Sequence, residues 1–83
     1  MSEQDWSNLK RPRYPMPDDV RQALDQHGLM QKYQERPPYQ QNDYIGWINR
    51  AKRAATRQKR LGQMLAELEL GDVYMKMDWK PGG

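Results

Sequence analysis

The sequence has no cysteine, which excludes disulfide bonds, zinc–thiolate sites and thiol catalysis. It has no run of eighteen apolar residues, so nothing in it reads as a membrane-spanning helix and no membrane insertion is expected. Its one histidine, His27, allows neither a His/carboxylate metal cluster nor a triad with a second imidazole. Hydroxyl nucleophiles are scarce: Ser2 and Ser7 lie near the start, and Thr56 is the only threonine. Asp18, Asp19 and Asp25 form no pair around an evident cleft. Together these shortages predict a protein that is not an enzyme and uses no cofactor. The opening stretch, Met1 to Leu9, is polar and lacks the apolar core of a secretory leader, so the expected location is cytoplasmic.

What is present is short and polar. Eighty-three residues make one small domain, with 36% hydrophobic and 30% charged residues. The charge is uneven. The net charge is +3, but Arg50 to Arg60 holds six basic residues and no acid, so the rest of the chain is net negative. Such a block is permissive for nucleic acid or anionic lipid, and no more.

Residues 1–16 read as a flexible lead, with Pro12, Pro15 and no apolar period. A helix is expected from Pro17, a residue suited to a first turn, with Asp18 and Asp19 on the positive end of its dipole. Val20, Ala23 and Leu24 recur at helical spacing, and Gly28 supplies a left-handed stop. His27 near that helix end is explained by the dipole. Leu29, Met30 and Tyr33 predict a short helix ending at Arg36 before Pro37-Pro38.

A stronger helix is expected from about Tyr39 to Lys52, with Tyr44, Ile45, Trp47, Ile48 and Ala51 as its apolar set, Tyr44 over Ile48 and Trp47 over Ala51. Gly46 costs about 1 kcal/mol there against alanine, which predicts the close approach of a neighbouring helix. The next helix runs from about Ala54 to Leu70 and stops at Gly71, with Leu61, Met64, Leu65 and Leu68 as its core stripe. No breaker separates these two helices. A single rod would be about 48 Å long at ~1.5 Å per residue, too long for so small a domain to cover. A sharp turn is therefore expected at Lys52 to Ala54. The fold class is all-α: a three- to four-helix bundle over residues 17–71, with a disordered N-terminal lead and an extended C-terminal arm over 72–83. In that arm Val73, Met75, Met77 and Trp79 alternate with Tyr74, Lys76, Asp78 and Lys80, a period of two, which suits an arm docked by its apolar side on the bundle, a disordered tail or a strand paired with another chain. The core set Tyr44, Trp47, Ile48, Ala51, Leu61, Met64, Leu65 and Leu68 makes Trp47→Ala an expected loss of about 3–5 kcal/mol.

Arg57 is the residue that does not fit a bland reading. On a helical wheel it lies between Met64 and Leu68, inside the apolar stripe, with Arg60 at the edge and Lys59 opposite. A guanidinium there must be paired or must bind something. Asp43 or Glu35 would pair with it, or Trp47 would stack on it. Alternatively, Arg57 and Arg60 hold an anionic group at the helix start. Arg50, Lys52, Arg53 and Lys59 form a basic patch. Two helices around a short basic turn also raise a helix-turn-helix reading, against which stand a turn without glycine and a sparse outward set, Gln58, Lys59, Gln63 and Ala66.

The run Asp43-Tyr44-Ile45-Gly46-Trp47-Ile48-Asn49-Arg50-Ala51-Lys52, then Thr56-Arg57-Gln58-Lys59-Arg60-Leu61, resembles the YdeI/OmpD-associated, bacteriocin-protection family of bacterial proteins. That family shows an aromatic, then Trp-Ile-x-x-Ala-Lys, then Thr-Arg-x-x-Arg-Ile before an amphipathic helix. Pro17 to Leu24 resembles its opening. The likeness covers about residues 15–71. Where the family often has Pro-Glu, this chain has Ala54-Ala55. The additional β-rich domain of longer members has no counterpart in these residues, so its role does not carry over. The resemblance implies a link to resistance against antimicrobial peptides or bacteriocins, and no reaction. The expectation is a non-enzymatic interaction module with a protein partner. Arg57, Arg60, Lys52, Arg53 and Thr56 are the candidate anion- or partner-binding residues, and weak nucleic-acid binding by the patch is the alternative.

Overall fold

A computed structural model describes residues 14–79; residues 1–13, where most of the expected lead falls, and 80–83 lie outside it. Four helices follow one another: α1 (Asp18–Gln26), α2 (Met30–Glu35), α3 (Pro38–Asn49) and α4 (Ala54–Leu70). Two strands, β1 (Val73–Tyr74) and β2 (Met77–Asp78), complete the described chain.

Each boundary has a local cause. Gly28 takes φ 65° after α1, so Leu29 N–H reaches Leu24 O at 2.8 Å and Gly28 N–H reaches Asp25 O at 3.2 Å. These two bonds satisfy carbonyls that the helix itself leaves unpaired. The same turn drops Leu29 beside Leu24, and both are buried. Gly71 closes α4 in the same left-handed region, with φ 86° and its N–H on Glu67 O at 2.9 Å. Pro37 and Pro38 separate α2 from α3, which starts at Pro38.

The core is one cluster. Val20 and Leu24 of α1, Leu29, Tyr33 of α2, Tyr44, Ile45 and Ile48 of α3, and Leu61, Met64 and Leu68 of α4 are buried together. α3 packs on α4, α1 on α2, and β1 on α4. Trp47 and Leu65, expected inside, lie half-buried on the flank of this cluster, and Ala51 lies half-buried beyond the end of α3. Of the apolar set of α3, Tyr44, Ile45 and Ile48 take the centre, and Trp47 lies to one side of them.

Four expectations are corrected. Tyr14 and Met16 do not belong to a flexible lead, because both pack against the core and Tyr14 N–H donates to Asn42 Oδ1 at 2.7 Å. The neighbour of Gly46 is accordingly not a helix: a Cβ on Gly46 would stand 2.7 Å from the Tyr14 ring. α3 stops at Asn49 rather than Lys52, so the break spans Arg50 to Arg53. Finally, the C-terminal segment is not an extended arm over its described part. It turns back on itself, with Val73 opposite Asp78 and Tyr74 opposite Met77. The two-residue loop puts Met75 and Lys76 at φ 50° and 65°, the primed turn that tight hairpins need.

Candidate functional site

The break between α3 and α4 is where the expected site residues fall. Beyond Asn49 the chain cannot continue as helix: Arg50 N–H still reaches Gly46 O at 3.0 Å, while Ala51 N–H reaches only back to Ile48 O at 3.2 Å. Arg53 is extended, with φ −108° and ψ 146°, and launches α4 with no side-chain cap. The last carbonyls of α3 therefore need donors from elsewhere.

Arg57 and Arg60, one turn apart on α4, supply them. Arg60 Nη1 donates to Trp47 O at 2.7 Å, and its guanidinium lies 5.4 Å from the centre of the Trp47 ring. Arg57 Nη1 donates to Ile48 O at 3.4 Å and to Asn49 Oδ1 at 3.1 Å. Its other edge grips Asp19 twice, Nε to Oδ2 at 2.8 Å and Nη2 to Oδ1 at 3.0 Å. One guanidinium thus ties the start of α1, the end of α3 and the first turns of α4. The signs suit both helix ends, with an acid at the positive start of α1 and a cation at the negative end of α3. The hydrogen bonds from Arg57 hold the Asp19 carboxyl below its ordinary value of 3.8.

The internal pairing foreseen for Arg57 is present, with different partners. Neither Asp43 nor Glu35 meets it. Asp43 accepts from Tyr74 OH at 2.7 Å, and Glu35 accepts from Gln31 Nε2 at 3.2 Å. The indole of Trp47 stacks with Arg60. Asp19 was assigned to the helix dipole alone, which hid its second role across 38 positions of sequence.

The other cations of the segment take no part in these bonds. Arg50, Lys52, Arg53 and Lys59 are exposed around the break, and Thr56 is half-buried in the first turn of α4. No acidic residue occurs in the sequence between Asp43 and Glu67. Of the expected outward set on α4, Gln58, Lys59 and Ala66 are exposed, whereas Gln63 is half-buried and donates to Glu67 Oε2 at 3.0 Å.

A second polar centre was not foreseen. Glu67 is 4% exposed, and its carboxylate accepts from Tyr44 OH, Gln63 Nε2, Met75 N–H at 2.8 Å and Lys76 N–H at 2.9 Å. It fastens the hairpin turn to the bundle. Beside it the buried Arg36 donates to Gln40 Oε1 and to Glu67 O, both at 3.0 Å, and lies 4.5 Å from the centre of the Trp79 ring. The available signal was an acid next to Leu68 on the core side of α4. Burial, followed by the bonds to Glu67 and Asp43, pushes the Tyr44 and Tyr74 hydroxyls well above the ordinary phenol value. Both rings meet edge to face, 5.4 Å apart.

Among the described residues no group of three His, Cys, Asp or Glu is placed to hold a metal ion, and no helix is long and apolar enough to cross a membrane. A family model described as Bacteriocin-protection, YdeI or OmpD-Associated matches residues 13–71, from just before the docked Tyr14 to the stop at Gly71. No curated protein and no solved structure matches the chain.

Proposed function

The chain belongs to the YdeI/OmpD-associated, bacteriocin-protection family, and from that premise we propose a non-enzymatic, cytoplasmic interaction module with a bacteriocin-protection-like role. Its docking face is the basic corner formed by Arg50, Lys52, Arg53 and Lys59. The partner is a protein offering an acidic surface.

One observation carries this reading: the basic segment is divided. Arg57 and Arg60 spend their donors inside the fold, on Asp19, Ile48, Asn49 and Trp47. The four remaining cations are exposed, in a stretch of sequence without acids. Exposed cations of one sign steer encounters with an acidic partner and exclude basic ones, and they contribute more to association rate than to stability.

The test is survival. Bacteria sensitive to a bacteriocin would express the chain or the variant R50Q/K52Q/R53Q/K59Q and be challenged with graded doses. The expected result is protection by the chain and loss of it in the variant, with unchanged circular dichroism and melting. Equal protection by both would remove the corner from the function.

The same acid-free corner favours a second reading, weak binding of nucleic acid. Gln58, Lys59 and Ala66 are a poor set for reading base edges, so such binding would be independent of sequence. Four phosphate contacts give a log–log salt dependence of about −3.6 on duplex DNA. A flat salt response, or no binding at low salt, rules that reading out.

A further inference from the structure

Away from the basic corner, a half-open pocket of about 200 Å³ lies between α2, the end of α4 and the residue that follows β2. Leu68 and Gly71 lie at the end of α4, the Trp79 indole forms a wall, and Lys32, Glu35 and Arg36 line the α2 side. We propose that this pocket binds one free α-amino acid with an apolar side chain, held as its zwitterion.

The volume comes first. Pockets for drug-sized molecules run to about 300–1,000 Å³, so this one admits a ligand of residue size. The lining comes second. The half-buried Trp79 indole offers apolar surface to a side chain, with the fully buried Leu68 as the floor behind it, while Lys32 and Glu35 bring opposite charges from neighbouring positions on one helix face. Those two charges are available. Among the described residues Lys32 has no ion pair, and Glu35 accepts only from Gln31 Nε2, at 3.2 Å. A zwitterion answers both at once, its carboxylate to Lys32 and its ammonium to Glu35. A peptide end or a simple fatty acid leaves one of them unanswered.

The third consideration is that the wall is built in advance. Arg36 is 3% exposed, and its donors go to Gln40 Oε1 and Glu67 O, so it acts on the ligand by positioning the indole. Its guanidinium lies 4.5 Å from the indole centre, and the backbone N–H of Trp79 donates to Asp72 O at 2.9 Å. A wall fixed before binding lowers the ordering cost that a small ligand must overcome.

The experiment is a titration of the full chain followed through the Trp79 indole N–H in proton–nitrogen correlation spectra. The probes are L-leucine and L-phenylalanine, with leucinamide and N-acetyl-leucine as analogues that each lack one charge. The expected result is a saturable shift of Trp79 with the amino acids. Each blocked analogue binds about three- to fivefold more weakly, the scale of one exposed ion pair. K32Q/E35Q, two exposed positions, retains the melting temperature and loses the preference for the zwitterion. The proposal fails if neither amino acid moves the Trp79 signal. It fails equally if the blocked analogues match leucine, or if K32Q/E35Q still prefers the zwitterion. None of these outcomes bears on the basic corner.

Discussion

Arg57 is an arginine on an apolar stripe, and its four side-chain hydrogen bonds turn that apparent misfit into the joint of the molecule. With 24% of its side chain accessible against 41% for Asp19, the pair is partly screened by water. Its contribution therefore sits between that of an exposed ion pair and that of a buried charged hydrogen bond. Arg57→Ala is expected to cost about 1–2 kcal/mol in urea unfolding, and Arg57→Lys to recover little, because an ammonium cannot grip Asp19 twice. The pH response follows from Asp19. Its folded-state pKa lies below the unfolded value, so the stabilisation is present above pH ~4 and is lost as pH falls through the lower, folded value. Acid titration of the unfolding free energy should show this loss, and Arg57→Ala should flatten it. Trp47 moves the other way. Sequence alone made it a central core residue; half-buried beneath Arg60, it should cost about 2–3 kcal/mol on change to alanine, below the full core value, and leave a cooperative transition.

At the scale of elements, the hairpin shows what local pattern reveals and what it hides. The alternation from Val73 to Trp79 marks extended chain correctly. The reversal in its middle was invisible, because Met75-Lys76 carries none of the Gly or Asn signals of a primed turn. The physical reason lies in a different element: the Glu67 carboxylate, on α4, accepts both turn N–H groups and offsets the strain of two positive φ angles. Two predictions follow from this arrangement. Lys76→Gly relieves one strained residue, keeps the N–H, and is expected to raise stability by about 1 kcal/mol by thermal or urea unfolding. Glu67→Gln replaces one of two acceptor oxygens by an amide donor facing two of the four donors, and should cost about 3 kcal/mol. Hydrogen exchange should then find the amides of Met75 and Lys76 unprotected while those of α1 remain slow. The helices were more legible. Gly28, Gly71 and Pro37-Pro38 act through their own backbones, so their effects were readable where they stand. The end of α3 at Asn49 depends on Arg57 and Arg60 reaching back from the next helix, and a local reading placed it three residues late.

Over the whole molecule, the basic block of the sequence is two groups with opposite duties. Arg57 and Arg60 reinforce the fold by joining α3 to α4 and, through Asp19, to α1. Arg50, Lys52, Arg53 and Lys59 face solvent and, if anything, repel one another. Composition and periodicity sufficed for a small helical bundle and for a basic stretch around the break between α3 and α4. They did not suffice to divide that stretch, since the division depends on which carbonyls and carboxylates the fold brings within reach. Side-by-side thermal unfolding of Arg57→Ala and R50Q/K52Q/R53Q/K59Q tests the division directly. The account predicts that Arg57→Ala melts lower, by about 4–8 °C for each kcal/mol lost in a domain of this size, while the fourfold variant melts at or slightly above the parent temperature. An unchanged melt for Arg57→Ala together with a large drop for the fourfold variant would contradict it.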